Sequence, residues 1–160
     1  MEISPEAIEL ENRSIGRFGE PTLGQALEIL LQQWDAGIRS RELSVHLLFL
    51  CWYLMLEPPY ITGMEASNPV ADRLQAVFNE VHNHFRTSIT NDVEMLYVVG
   101  LMAHLTPWLL GESDHWESIS ANYRMLYRRL APNGLDPTLF HNRGAYGDYF
   151  GHQAGIKDGY

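Results

Sequence analysis

The sequence predicts an all-α fold, a compact bundle of about five helices. Apolar residues recur at helical spacing in several segments, and no segment alternates as a half-buried strand does. Prolines and glycines separate these segments at intervals typical of helices. Apolar residues make up 46% of the 160 residues, enough for one packed core. We therefore expect a single globular domain.

Two helices are predicted in the first part of the chain. Thr22 and Gln25 have the form of a capping box, and leucines at helical spacing follow as far as Gly37. Ser40 can cap a second helix through the apolar segment 43–56. Because apolar side chains occupy every face of that segment, we place it at the centre of the bundle. It is too short for a membrane span, which needs about 20 residues.

Three further helices are predicted between residues 68 and 131. Asn68 followed by Pro69 indicates a cap and a first turn, and apolar residues up to Phe85 then mark one face. The next two helices each begin near an acidic or amide side chain with a glutamate three residues on, and each ends at a proline. We expect them over residues 91–105 and 114–130.

The sequence also allows a repeat architecture. Residues 27–34 resemble residues 74–81, and residues 45–63 resemble residues 93–111, at offsets of 47 and 48. Two helical-hairpin repeats plus a capping helix would explain this similarity. Leucine-rich helices also match by chance, so we favour the compact bundle.

The two ends of the chain differ from the predicted helical domain, which we place at residues 21–155. Residues 1–20 contain five glutamates and are expected to form an exposed acidic lead-in. From Ala131 onward the chain is too rich in glycine for a long helix and too aromatic for a disordered tail. We expect an ordered loop over the bundle, with one short turn after Asp136. Residues 156–160 are expected to fray.

The charge and the cysteine count limit the partners and the compartment. The chain has 20 acidic and 11 basic residues, a net charge of -9, which argues against nucleic acid as a partner and favours a basic protein. Its acidic start lacks the features of a signal peptide, and one cysteine cannot form an internal disulfide. We therefore predict a cytoplasmic protein without a membrane partner.

No pattern in the sequence indicates catalysis, a cofactor or a metal. His82 and His84 are two positions apart, so a helix directs them to different faces. Cys51 lies in the most apolar segment and is predicted to be buried and inert. His46 and His104 also lie in apolar helices, where we expect backbone groups or hydroxyls to satisfy the ring nitrogens. We therefore expect no catalytic, cofactor-binding or metal-binding residue.

These observations favour a non-enzymatic protein-binding module, in particular an acidic inhibitor or immunity-type protein that neutralises a basic partner. The alternatives are a ligand- or metal-binding helical bundle and a helical-repeat scaffold that binds a peptide. The candidate interface residues are aromatic residues of the C-terminal segment and a stripe on the fourth helix: Tyr146, Tyr149, Phe150, Tyr97, His104 and Trp108. The first three could instead seal the open end of the bundle, and the stripe could serve packing within the chain.

Overall fold

The computed structural model describes residues 3–156 and Tyr160, and over these residues the chain is all-helical without a strand. The nine α-helices of this part are α1 Pro5–Arg13, α2 Leu23–Asp35, α3 Arg41–Leu56, α4 Pro59–Thr62, α5 Leu74–Phe85, α6 Val93–Leu105, α7 Pro107–Leu110, α8 Ser113–Leu130 and α9 Gly144–Ala154. Single 3₁₀ segments cover Pro69–Arg73, Ile89–Asn91 and Pro137–Phe140. The all-α prediction is confirmed. The expected number of about five helices is too low, because α1, α9 and the one-turn helices α4 and α7 were not foreseen.

Helix α3 lies at the centre of the fold. It packs against α2 and α5 and also contacts α6, α7 and α9. Leu48, Cys51 and Trp52 are buried on one face of this helix, and Leu47, Phe49 and Leu50 are buried on its other faces, as expected for a helix surrounded by others. No helix in residues 3–156 combines the length and apolarity needed to cross a membrane.

Side-chain caps begin several of these helices. Ser40 and Asn68 each accept a hydrogen bond from a backbone amide in the following turn, as predicted. Asp92, one residue after the predicted position, caps α6 in the same way. Thr22 begins α2 without a side-chain cap, because its hydroxyl donates to the carbonyl oxygen of Leu10 instead. That bond joins α1 to α2.

The N-terminal segment is largely folded, contrary to the expected exposed lead-in. Ser4 and Pro5 begin α1, and Ala7, Leu10 and Glu11 are buried where α1 packs against α2 and α9. These three positions share one helix face at i, i+3 and i+4 spacing. Within residues 3–21, the exposed loop is limited to residues 15–21.

The C-terminal segment forms a helix of 11 residues, contrary to the expected loop. Gly147 permits this packing, because a Cβ atom there would lie 2.2 Å from the carbonyl oxygen of Phe140. The 3₁₀ segment that ends at Phe140 therefore lies directly on α9, and it is the short turn expected after Asp136. The frayed end was expected over 156–160, of which 157–159 lie outside the described residues. Tyr160 itself is buried, with 8% of its surface exposed.

The order of elements recurs within the chain, but their packing recurs only in part. Helices α3 and α6 are each followed by a one-turn helix that starts at a proline and is followed directly by a glycine. Helix α3 packs against α5 as α6 packs against α8. Helix α2 also packs along α3, whereas α5 packs against α3 rather than along α6. The structure therefore supports one compact bundle in the described part of the chain.

Candidate functional site

A charged histidine lies at the centre of the fold. His46 and Glu11 have no exposed surface, and the Nδ1 atom of His46 lies 2.7 Å from Oε2 of Glu11. Its Nε2 atom lies 2.9 Å from Oε1 of Glu42. Because carboxylates only accept hydrogen bonds, both ring nitrogens donate and the ring is an imidazolium. The expectation of backbone or hydroxyl partners for His46 is therefore corrected.

The carboxylates determine the protonation of this histidine. Burial by itself would lower the pKa of His46, but the charges of Glu11 and Glu42 and their hydrogen bonds raise it to about 9. Burial would likewise raise the pKa of Glu42, but hydrogen bonds from His46 and Arg143 lower it to about 2. The ring of His46 and the carboxylate of Glu42 are thus charged at neutral pH.

Arg143 and Tyr146 extend this group of charges to α6. The Nη2 atom of Arg143 lies 2.8 Å from Glu42 and 2.9 Å from Glu94, so one guanidinium binds two helices. The hydroxyl of Tyr146 donates to Glu94 at 2.6 Å. We call the connected set the buried charge cluster, and its members are Glu11, Arg41, Glu42, His46, Asp92, Glu94, Arg143 and Tyr146.

Glu11 also caps α9, although it lies on α1. Arg143 precedes α9 and provides no side-chain cap, while Oε1 of Glu11 accepts a hydrogen bond from the amide of Tyr146 at 3.2 Å. Gly144 makes this approach possible, because its φ is +65° and a Cβ atom there would lie 2.6 Å from Glu11. The cluster therefore fixes α1 and α9 against α3.

The groups of the cluster bind one another. Within the described residues, every buried side-chain nitrogen or oxygen has a hydrogen-bond partner. In the same part of the chain, no three histidine, cysteine, aspartate or glutamate residues are arranged to hold a metal. The cluster is therefore best described as a structural clamp between helices.

An open groove of about 370 Å³ lies beside this clamp. Its floor comes from Phe49 and Tyr53 of α3, and Tyr60 of α4 stands at its edge with 82% of its surface exposed. The loop of residues 14–20 forms one wall, and α9 forms the opposite wall with Tyr149. We call this feature the tyrosine groove. Both walls are continuous with helices that the buried charge cluster holds in place.

The rings of the groove pack closely at its floor. The ring of Phe49 stacks on Tyr53 with 5.2 Å between centroids and lies 5.6 Å from Tyr149. Burial, together with the negative charge of Glu57, raises the pKa of both Tyr53 and Tyr149. The groove therefore presents neutral phenol rings in a negative potential.

Acidic side chains outnumber basic side chains around the groove. Asp148 and Glu57 form no ion pair within the described residues, whereas Glu20 pairs with Arg13 at 2.6 Å. Arg17 lies on the loop wall. Glu20, Asp148 and Arg17 line the groove, while Arg13 pairs with Glu20 and Glu57 acts on Tyr53 and Tyr149 from outside the lining. The three carboxylates and two guanidinium groups leave a local excess of one negative charge.

The structure places three of the predicted interface residues in the core. Tyr146 and Phe150 have no exposed surface and Tyr97 is also buried, so they have no surface to offer a partner. The alternative that Tyr146 and Phe150 seal the bundle fits their positions. Tyr149 is half-buried and lines the tyrosine groove. It is the one residue of the predicted C-terminal trio that a partner could reach.

Part of the predicted stripe on α6 is covered by the chain itself. The ring of Tyr160 lies against Gly100 and 5.3 Å from the ring of the exposed His104. Its hydroxyl bonds to Ser120 on α8. Tyr97 and Gly100 of the stripe therefore serve packing within the chain, whereas His104 remains exposed. Trp108 remains 63% exposed on α7 and lies outside the groove lining.

His82 and His84 have different surroundings, as their spacing in a helix predicts. His82 is buried, and its Nε2 atom lies 2.7 Å from the hydroxyl of Tyr123. Burial lowers the pKa of His82 to about 4, so the ring is neutral at neutral pH. His84 is exposed, and its ring packs against that of Phe85. Burial also raises the pKa of Cys51 to about 12, in agreement with the predicted inert thiol.

Sequence reasoning missed both the buried charge cluster and the tyrosine groove. Glu11 was assigned to an exposed segment, and Tyr53 was counted only within an apolar helix. The available signal was Pro59-Tyr60, a large aromatic residue on a turn directly after the central helix. A second signal was the pair Glu42 and His46, an acidic residue and a histidine at i, i+4 spacing in an otherwise apolar helix.

The fold and the site define an all-α domain in which a buried charge cluster holds the walls of an open aromatic groove. No protein-family model matches the chain, and no curated protein or solved structure is significantly similar to it. Function is therefore inferred from the groove and from the charge around it.

Proposed function

We propose that the protein is a non-enzymatic protein-binding module that binds a basic partner protein through the tyrosine groove. The observation that carries the proposal is an open groove lined by tyrosines and by Asp148, with Glu57 close enough for its charge to act on Tyr53 and Tyr149. Neither carboxylate forms an ion pair in the described part of the chain. The net charge of -9 extends this negative character over the whole chain. Half-buried tyrosines are residues on which interfaces commonly depend.

The buried titratable groups support binding rather than catalysis. An acid or base catalyst must reach the substrate, directly or through one water molecule. His46 and Glu11 are fully buried and bonded to each other, and His82 bonds to Tyr123. Burial raises the pKa of Tyr53 and Tyr149, so the hydroxyls of these two groove residues stay protonated at neutral pH and cannot accept a proton as bases.

An acidic inhibitor or immunity-type protein is the narrower form of the proposal. Such a protein covers a basic site on its partner, and its carboxylates speed the encounter. Negative groups beside an aromatic groove suit this role, because the charges steer the partner and the rings supply contact area.

Affinity capture from the native host tests the proposal. The bait is the wild-type protein beside a groove variant with Tyr60→Ala and Asp148→Asn. The matched control carries Trp108→Ala and Asp72→Asn, which are exposed and outside the groove lining. We expect a basic protein that the wild type and the control retain and the groove variant loses. Equal retention by all three baits would contradict the groove as the binding site.

A further inference from the structure

We propose that the tyrosine groove is a binding site for a guanidinium group, so that the anchor inserted by the basic partner is an arginine side chain. This inference rests on the proposed function and adds the chemistry of the anchor. It follows from the rings of the groove, from the charges at its border and from contacts that the protein makes elsewhere.

The shape and the lining of the groove suit a planar cation. Tyr53, Tyr60 and Tyr149 supply ring surfaces from three different helices, and the ring of Phe49 packs against those of Tyr53 and Tyr149. A guanidinium group stacks on aromatic faces and donates hydrogen bonds in its own plane. Tyrosine hydroxyls and carboxylates at the border can accept those bonds.

The protein makes the same type of contact within its own chain. The guanidinium carbon of Arg39 lies 3.6 Å from the centroid of the Trp34 ring. That of Arg143 lies 5.1 Å from the ring of Tyr146, with its nitrogens on Glu42 and Glu94. The second case combines an aromatic face with two carboxylates, and the groove offers the same combination to a group from outside.

The charges at the border favour a cation over a neutral or anionic anchor. Glu57 is close enough to Tyr53 and Tyr149 to raise the pKa of both, so its field extends into the groove. Asp148 lines the groove without an ion pair in the described residues. A bound guanidinium would offset the local excess of negative charge, whereas a carboxylate would add to it.

Arg17 is the one feature of the lining that opposes this assignment. It is exposed on the loop wall, where its positive charge repels an incoming guanidinium. The repulsion is weakened by solvent, since the side chain is exposed. The proposal therefore predicts that removal of this charge strengthens binding, a direction that no general loss of structure would produce.

The direct test is a titration of isotope-labelled protein with N-acetyl-arginine amide, observed by NMR of the backbone amides. N-acetyl-citrulline amide is the matched probe, because a neutral urea group replaces the guanidinium at nearly the same shape. We expect saturable shifts of residues that line the groove, such as Tyr60, Ile61 and Asp148. The citrulline probe should bind about fivefold more weakly, as expected for a cation at an exposed aromatic site.

Substitutions at three exposed residues of the groove lining test whether these side chains bind the arginine probe. Tyr60→Ala and Asp148→Asn should each weaken the arginine probe several-fold, while Arg17→Ala should strengthen it. Trp108→Ala and Asp72→Asn should leave the affinity unchanged. All five side chains are exposed, so circular dichroism should show the same fold for every variant.

Two results would overturn the guanidinium assignment. One is equal affinity for the arginine and citrulline probes, or no saturable shift for either across the millimolar range. The other is weaker binding of the arginine probe by Arg17→Ala. If groove variants still lose a captured protein partner, the proposed function stands and only the anchor fails. If the arginine probe binds as expected but groove variants retain every partner, the proposed function fails and the cation site stands.

Discussion

His46 is the residue whose chemistry depends most on the fold. Its pKa is about 9 in the folded protein and about 6.5 in an unfolded chain, so folding favours the protonated ring. The resulting stability is fully present below about pH 6.5 and is lost as the pH rises through about 9. We expect the free energy of unfolding to fall by up to about 3 kcal/mol over this range. Urea unfolding at a series of pH values measures it.

Two histidine variants control this pH experiment. His46→Gln removes the group that titrates, so its free energy of unfolding should not fall between pH 6.5 and 9 from this cause. His152 is exposed, and His152→Gln should keep the wild-type pH dependence. A wild-type stability that stays constant up to pH 9 would show that the ring is not held as an imidazolium.

The effect of His82 on stability should depend on pH in the opposite direction to that of His46. The pKa of His82 is lowered to about 4 by burial and by the nearby charges of Arg86 and His115, so folding favours the neutral ring. The stability it contributes is present above about pH 6.5 and is lost as the pH falls toward 4. NMR spectra of the histidine rings should show His82 neutral at pH 5, where His46 is still charged. A ring of His82 that titrates near pH 6.5 would contradict its burial beside Tyr123.

At the scale of elements, α9 depends on Gly144. Replacement by alanine introduces a side chain at a φ of +65° and places its Cβ atom 2.6 Å from the Glu11 carboxylate. The backbone conformation alone costs about 1–2 kcal/mol, and displacement of Glu11 adds to that. Gly37→Ala is the matched control, because φ there is +95° and nothing lies within 4 Å. Thermal unfolding should show a clearly larger loss for Gly144→Ala, and equal losses would remove the role assigned to Glu11.

Glu11 itself supports two elements at once. Glu11→Gln removes the charge that faces the buried imidazolium of His46 and weakens the cap on α9. Loss of one partner from a buried ion pair costs about 3–5 kcal/mol. Denaturant unfolding should show a decrease of that size. A decrease below about 1 kcal/mol, the usual range of exposed pairs, would contradict the buried clamp.

The helices that sequence analysis found are those with local signals. Ser40 and Asn68 cap the helices that follow them, and the apolar residues of α3 indicate its burial from all sides. Helix α9 lacks such a signal, because its cap is Glu11, which lies 135 residues before Tyr146. Glycine disfavours helix, so the glycines of α9 predicted a loop. Gly147 and Gly151 are present because Phe140 packs closely against them, and that contact cannot be read from the local sequence. The groove was missed for the same reason, because α3, α4, α9 and the 14–20 loop contribute to it.

At the scale of the whole molecule, the net charge of -9 should govern encounters with a basic partner. We expect the association rate to fall markedly as salt is raised, while the dissociation rate changes less. Stopped-flow or surface-binding kinetics with the captured partner measures both rates. A partner whose association rate is independent of salt would contradict electrostatic steering and the acidic-inhibitor form of the proposal.

The long-range bonds of the buried charge cluster also order events during synthesis. Glu42 can bind Arg143 only after another 101 residues have been synthesised. Glu11 can accept its hydrogen bond from the amide of Tyr146 only after that residue has been added. At about 5–20 residues per second, the ribosome needs about 5–20 s to make the 101 residues from Glu42 to Arg143. Until then, Glu42 and Glu94 of the nascent chain lack their ion pairs with Arg143, and the central helix α3 lacks its contact with α9. The native state of the central helix is therefore reached late, when translation of the segment around residue 146 is complete.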